Sequence, residues 1–387
     1  MQRPTVAHFV PLYLPRTETF IYQILTHHRR YRPVVLAHRR VDTAALFPIR
    51  PLYVEPELRA RRGKAAWLSR LPVLWRFRPP SSFHGVLRRH RARVLHAHFG
   101  HTGADVLDVS RRAKIPQVTS FYGWDDTVAF TDARWSEKFR MLFAQGACFL
   151  VEGSHIAKRL AALGCPAEKI RVHRIGIDLK EVAFRPPTPP AAGEPARVLV
   201  CGRMVEKKGH RLALAAAAHA RRQGLRIELR MIGDGPLRAS IEAESAALGL
   251  DGATRFLGAL TYPQYLRELA AAHAVLQPSL TGADGDTEGG APTVLIEAQA
   301  AGKPIVTTRH ADIPEIVVPE RSAIVVPEGD VERLGEALGH VLSQPGRWAD
   351  MGAAGRRHVE AEHDIARQVE RLETLYETLY TQSAAHG

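Results

Sequence analysis

Cysteine is scarce in this chain. Cys148, Cys165 and Cys201 are the only three in 387 residues, and no two stand in a C-x-x-C spacing. That spacing excludes a disulfide framework and a zinc knuckle and fits a reducing compartment. Long apolar runs are missing too. No stretch approaches the roughly 20 uninterrupted apolar residues of a membrane span. The opening MQRPTVAHFVPLYLPRTETF lacks the charged-then-apolar order of a signal peptide, so a cytoplasmic location is expected. A Walker phosphate loop, G-x-x-x-x-G-K-[ST], is absent as well. Finally, acids are missing from one long segment: Leu58 to Ala104 holds 11 Lys and Arg and no Asp or Glu.

That last absence is half of a charge asymmetry. Residues 1–100 carry a net charge of +15, whereas the remaining residues carry −2, so the excess of +13 sits in one part of the molecule. Within 58–104 the cations are interleaved with Trp67, Leu68, Leu71, Leu74, Trp75 and Phe77. Such a mixture suits an anionic membrane surface, which attracts about 1 kcal/mol per nearby Lys or Arg. A solvated basic face is the plainer account, and Pro72, Pro79 and Pro80 interrupt any single amphipathic helix. No nucleic-acid recognition motif accompanies the patch, so nucleic acid is not expected as a partner.

With 45% hydrophobic and 24% charged residues, the length suits two soluble domains. TVAHFVPLYL, RPVVLAHR, ARVLHAHFG, IPQVTSFYG and ACFLVEGS read as strands, alternating with helices near ETFIYQILTHH and SHIAKRLAALG, the latter with Ser154 as N-cap. RPPTPPAAGEPA, residues 185–196, has five prolines in twelve residues and reads as a linker. The alternation then restarts with RVLVCGR and continues to AVLQPSL. The expected division is therefore an α/β domain over 1–184, the linker 185–196, and a second α/β domain over 197–362. A last helix over 363–380, with one apolar face, is expected to pack back on the first domain. Open α/β sheets bind ligands at the carboxyl ends of their strands, so loops after strands are the place to search.

Three loops stand out. CGRMVEKKG, 201–209, places Arg203 and Lys208 between two glycines, where both cations can converge on a phosphate; two surface cations on a turn is the alternative. TGADGDTEGGAPTVLIEAQAAG follows AVLQPSL. Pro292 suits the first position of a helix stopped by Gly302, and Gly289 and Gly290 let an anion approach the free N–H groups of the helix start. Glu297, in the second turn, can accept from the two hydroxyls of a ribose, and Glu288 would lie beside whatever the phosphate carries. The DGD at 284–286 suits a turn better than a metal site. In the third loop, HAHFGHTG, His96, His98 and His101 follow a strand without acidic or cysteine partners. A neutral His98 bonding a sugar hydroxyl and a packed core histidine both ask less than a metal does.

In this order GRMVEKKG, MIGDGPLR, RFLGAL, EGGAPTVLIEAQAAGKPIV, HADIPEIV and LGCPAEKIRVHRIGID resemble the motifs of GT-B glycosyltransferases, specifically glycosyltransferase family 4. TETFI, VLHAHFG and TSFYGWD resemble members that build bacterial exopolysaccharide, capsule or lipopolysaccharide. The likeness spans nearly the whole chain. It implies an α/β fold of two Rossmann-like doubly wound domains facing each other across a cleft. It also implies transfer of a sugar from a UDP- or GDP-linked donor with retention of anomeric configuration, without metal or cofactor. Arg203, Lys208 and Gly202 would meet the donor diphosphate and Glu297 the ribose. Glu288, with Gly289, Gly290, Ala291, Pro292 and Thr293, would meet the donor sugar, while Leu257 and Gly258 would border the base. His98 would touch the sugar from the first domain. Asp125, with Thr17 and Glu18 of TETFI, would lie on the side of a glycan or lipid-linked glycan acceptor at the inner membrane face. Eight residues separate Glu288 from Glu297, one more than the family pattern, so Glu288 keeps its place only if the extra residue bulges within the glycines. A sugar-nucleotide-binding subunit of a polysaccharide assembly, with transfer lost, is the competing reading.

Overall fold

The computed structural model describes residues 3–15, 18–55, 82–122, 133–290 and 292–385. The chain forms two compact units, Met1–Gly176 with Ile365–Gly387, and Ile177–Asp364. Most of the basic segment 58–104 lies outside the described residues, as do Thr17, Asp125 and Ala291. None of the described helices is long and apolar enough to cross a membrane.

The first unit is built on β1 (Thr5–Tyr13), β2 (Arg32–Arg40), β3 (Leu52–Val54), β4 (Ala92–His98), β5 (Gln117–Ser120), β6 (Cys148–Val151) and β7 (Ile170–Val172). Their spatial order is β3-β2-β1-β4-β5-β6-β7, every pair parallel. Helices on both faces bury the sheet, which is why its strands read as near-continuous apolar runs. The C-terminal helix Ile365–Ala385 belongs to this unit: Ile365, Val369, Leu372 and Tyr376 pack on Val6, Val94, Val118 and Leu150. The helix after β6 begins at Ser154 itself, with Gly153 rather than Ser154 in the N-cap position.

The second unit repeats the plan with β8 (Ala196–Cys201), β9 (Ile227–Ile232), β10 (Thr254–Gly258), β11 (Ala274–Gln277), β12 (Ile305–Thr308) and β13 (Ala323–Val326). The order is β10-β9-β8-β11-β12-β13, again all parallel. Its core gathers Val198, Val200, Leu214, Leu229, Leu276, Val306, Leu338 and Trp348. Both sheets reverse their winding beside the first strand, between β1 and β4 and between β8 and β11, and a doubly wound sheet opens its ligand crevice at that point.

The unit boundary falls at Gly176/Ile177, earlier than the proline-rich segment suggests. Proline removes backbone donors, yet this segment is tied to the second unit by side chains. Lys303, 1% exposed, donates to the carbonyls of Arg185 and Ala270 at 2.8 Å each, and Arg356 donates to Val182 O and Ala300 O. Burial pushes the Lys303 ammonium down to about 8.

Candidate active site at the carboxyl ends of β8 and β11

The loops leaving β8 and β11 meet at the switch point of the second sheet. Gly209 has φ +66, and a β-carbon there would lie 1.8 Å from Pro278 O, so only glycine permits the approach. Leu280 N donates to Lys207 O at 3.0 Å, which zips the two loops together.

This contact sets two acidic side chains opposite two lysines. Lys208 Nζ lies 2.6 Å from Glu288 Oε2, and Ser279 Oγ donates to Glu288 Oε1 at 2.8 Å. The Glu288 side chain is 6% exposed. Burial alone would raise its carboxyl, but the Lys208 charge and the hydrogen bonds from Lys208 and Ser279 outweigh burial and hold it below the ordinary value. Glu288 is thus an anion at neutral pH. Lys207 bonds Asp286 Oδ1 at 2.9 Å and Thr287 O at 2.7 Å. The DGD triplet is a turn, with Gly285 at φ +81 and Asp284 accepting from Asp286 N at 2.9 Å. Arg203, in the same loop as Lys208, is exposed.

The long spacing between Glu288 and Glu297 begins with a glycine bend, Gly289 at φ +68 with Gly290 N on Glu288 O at 2.8 Å. Glu288 therefore faces inward toward Lys208. The helix runs Thr293–Ala300, so Pro292 is its N-cap and not its first helical residue; its carbonyl already accepts from Leu295 N at 3.0 Å. Thr293 opens the helix, and Gly302, at φ +77, ends the turn that follows. Gly202 donates from its N–H to Ile232 O at 3.0 Å at the end of β8.

Glu297 is 7% exposed in the second turn. Burial pushes its carboxyl up to about 7, partly offset by the hydroxyls of Tyr265 and Tyr262. These tyrosines, on the helix Tyr262–Ala271 just beyond Leu257 and Gly258, escaped the sequence reading because they resemble an ordinary amphipathic turn. Gly258, at φ +67, closes β10 by accepting from Gly233 N at 2.9 Å.

The raised Glu297 predicts a pH effect of definite sign. Between about 4.5 and about 7 the folded state holds a proton that the unfolded state has lost. The stabilisation is complete below that window and disappears as pH rises through it. Over the window it amounts to about 3 kcal/mol. Denaturant unfolding of Glu297→Gln and wild type at about pH 5 and about pH 8 should show the variant gaining by most of that amount at the higher pH, since about pH 5 already lies inside the window. Parallel pH profiles would refute the raised value.

The first unit departs further from expectation. His96 and His98 lie within β4 rather than after it, both fully buried. His98 bonds His8 Nδ1 through Nε2 at 3.0 Å and the Tyr122 hydroxyl through Nδ1 at 3.0 Å. Both ring nitrogens are engaged, so the sugar contact expected of His98 gives way to the packed-histidine reading. Burial pushes His98 down to about 3 and holds His8 and His96 well below the ordinary range, so all three are neutral. The network continues from His8 to His28 and on to the Glu373 carboxylate. His8, His96 and His98 bring ring nitrogens within 4.8 Å of one another, the group among the described residues best placed to hold a metal. His96 is itself satisfied by Tyr376 at 2.5 Å and Ser120 at 2.7 Å, so the cluster is complete through hydrogen bonds alone. His101, in the first turn of the helix Gly100–Ala113, is the partly exposed imidazole of the three in HAHFGHTG. Glu18 stands at the N-cap position of the helix Thr19–His27 without a side-chain capping bond, and burial pushes its carboxyl up to about 8.

Residues 17–181 match the family model described as Glycosyltransferase Family 4, and residues 185–358 match that described as Glycosyl transferases group 1. The chain is 33% identical over 283 residues to the putative colanic acid biosynthesis glycosyltransferase WcaL of Escherichia coli (strain K12), covering 72% of this chain and 68% of the relative. It is 33% identical over 291 residues to the amylovoran biosynthesis glycosyltransferase AmsK of Erwinia amylovora, covering 74% and 70%. Among solved structures, Anabaena Alr3699/HepE in complex with UDP and glucose superposes with a TM-score of 0.76 at 14% identity, over 97% of this chain and 100% of the other.

Proposed function

Because the chain belongs to glycosyltransferase family 4 and has the GT-B fold of two Rossmann-like domains, we propose that it moves a sugar from a UDP- or GDP-linked donor to a glycan or lipid-linked glycan acceptor, with retention of anomeric configuration and without a metal, in bacterial surface-polysaccharide assembly. The observation that carries the reading is the part-buried Lys208–Glu288 pair at the switch point of the second sheet, in a loop that also carries the exposed Arg203. The polysaccharide context rests on WcaL and AmsK, named for colanic acid and amylovoran biosynthesis, and a nucleotide donor on the UDP-bound HepE structure.

The roles follow from charge. Breaking the bond from the anomeric carbon to the diphosphate leaves negative charge on phosphate and positive charge on the ring. An ammonium has three N–H donors. Lys208 gives one to Glu288 and keeps the others for the diphosphate, joined by Arg203 and the N–H groups at Thr293. The same bond holds the Glu288 carboxylate next to the departing group, where it faces the cationic ring. Glu297 receives the ribose hydroxyls, with Leu257 and Gly258 beside the base. Glu18, with Thr17 and Asp125, serves the acceptor. The basic segment would hold the protein on the anionic inner face of the membrane.

The test is incubation with UDP-, GDP- and ADP-sugars and a membrane lipid extract in the presence of a metal chelator. Nucleoside diphosphate release and the anomeric configuration of the product would be followed together. Release with one donor and a retained anomer supports the proposal. Tight binding of a free nucleoside diphosphate without release favours a binding subunit, and no binding removes the site. Activity only after restoring a divalent ion would overturn metal independence.

A further inference from the structure

We propose that His310 and Glu328 are positioning residues for Glu288: together they hold both ends of the loop 281–288 and thereby set where the Glu288 carboxylate lies. The inference rests on the reading of Glu288 as the site carboxylate and goes beyond it to what locates that group.

The hydrogen-bond polarity leaves one arrangement. Glu288 N–H lies 3.0 Å from His310 Nε2, and a backbone N–H only donates, so Nε2 presents a bare lone pair. A neutral imidazole then carries its proton on Nδ1, which donates to Glu328 Oε2 at 2.8 Å. The second Glu328 oxygen, Oε1, accepts from Thr281 N at 2.5 Å. One carboxylate therefore anchors the first residue of the loop directly and the last through the imidazole. Burial would raise the Glu328 carboxyl, but the bonds from Thr281 and His310 hold it below the ordinary value, in the form that accepts both.

The clamp comes from the sheet, not from the loop. His310 follows β12 and Glu328 follows β13, the strands next outward from β11, and Arg309 N binds Val326 O at 2.7 Å between them. Thr308, also at the end of β12, donates its hydroxyl to Ser279 O, fixing the residue whose own hydroxyl holds Glu288 Oε1. The middle of the loop is shaped by its own turn, with Gly282 N on Asp286 O and Gly285 N on Gly282 O at 2.8 Å each and Lys207 on Asp286 and Thr287, whereas Glu328 and His310 take the backbone N–H groups at its two ends. A charge that stabilises a transition state must be held in place beforehand, and a misplacement of about 1 Å is enough to slow chemistry by up to about a hundredfold.

The experiment uses the full chain with His310→Ala, His310→Gln, Glu328→Ala and the double alanine variant. It measures kcat and KM for the donor, and calorimetric affinity for the free nucleoside diphosphate. His310→Ala should lower kcat by about tenfold or more while diphosphate affinity stays within about threefold, since Arg203 and Lys208 are untouched. His310→Gln, which keeps an acceptor oxygen, should recover most of that loss, and the double variant should be no worse than the poorer single. Wild-type kcat in His310→Ala overturns the inference. So does a parallel loss of kcat and affinity that glutamine does not rescue. Should the wild type transfer no sugar, the functional reading has failed and the clamp is judged alone from 15N shifts: a bare Nε2 and protonated Nδ1 on His310 uphold it, and the opposite tautomer overturns it.

Discussion

Glu288→Ala should lower sugar transfer by about a hundred- to a thousandfold while the free nucleoside diphosphate binds as well as to wild type, or more tightly. Both halves come from the same contact. In wild type, one donor of the Lys208 ammonium is engaged by Glu288 at 2.6 Å, in a pair whose acid is 6% exposed and whose base is 20% exposed. Removing the acid deletes the negative charge meant for the cationic ring, and it leaves Lys208 without its counterion. A diphosphate then becomes the natural partner of that ammonium. Glu288→Gln separates charge from shape. It keeps an oxygen for Ser279 Oγ and should show the same loss of transfer. The loss of the Ser279 and Lys208 contacts should destabilise the alanine variant by about 1–3 kcal/mol, too little to unfold a typical domain. Steady-state transfer assays beside calorimetry decide the matter: if diphosphate affinity collapses together with transfer, Glu288 is a structural support for the loop and not the charge the reaction uses.

The second large effect is on stability. Gly209→Ala should destabilise the second unit by about 2–5 kcal/mol, the sum of a left-handed conformation and an overpacked contact. The glycine stands at φ +66, and an added β-carbon would lie 1.8 Å from Pro278 O and 2.8 Å from Pro278 C, backbone atoms at the end of β11 that have no rotamer in which to retreat. Gly249 provides the control. It has the same φ of +66 and nothing within 4 Å of its would-be β-carbon, so Gly249→Ala isolates the conformational share, about 1–2 kcal/mol. Chemical denaturation of the two variants measures the difference. Equal losses would mean that the loops after β8 and β11 do not touch, and the site built on their contact would lose its foundation.

Much of this was open to reading in the linear order of residues. The alternation of apolar strands with helices, the restart after the prolines, and the glycine loop running into Thr293–Ala300 all depend on side chains a few positions apart. Local spacing encodes such features directly. Lys208 and Glu288 were both recognisable as chemistry-bearing residues by type and loop context, though not as each other's partner.

Other features were hidden for one reason: they join residues far apart in sequence. Lys208 meets Glu288 across 80 positions because β8 and β11 are neighbours in the sheet. His98 looked like a ligand at a strand end. It became a core residue because β1 sets His8 beside it, while the C-terminal helix covers the same region with Glu373 and Tyr376. The unit boundary moved to Gly176/Ile177 because Lys303 and Arg356 reach back to backbone carbonyls that proline content alone could not assign. The sequence by itself determined the two α/β units, their glycine loops and the residue types that can bind a phosphate, since helix and strand periods act over a few residues. Only the tertiary structure decided which cation faces which carboxylate, which histidines are sealed from solvent, and that His310 and Glu328 hold the loop. Those outcomes depend on strand order and on burial, which shifts a carboxyl or imidazole according to every neighbour it acquires.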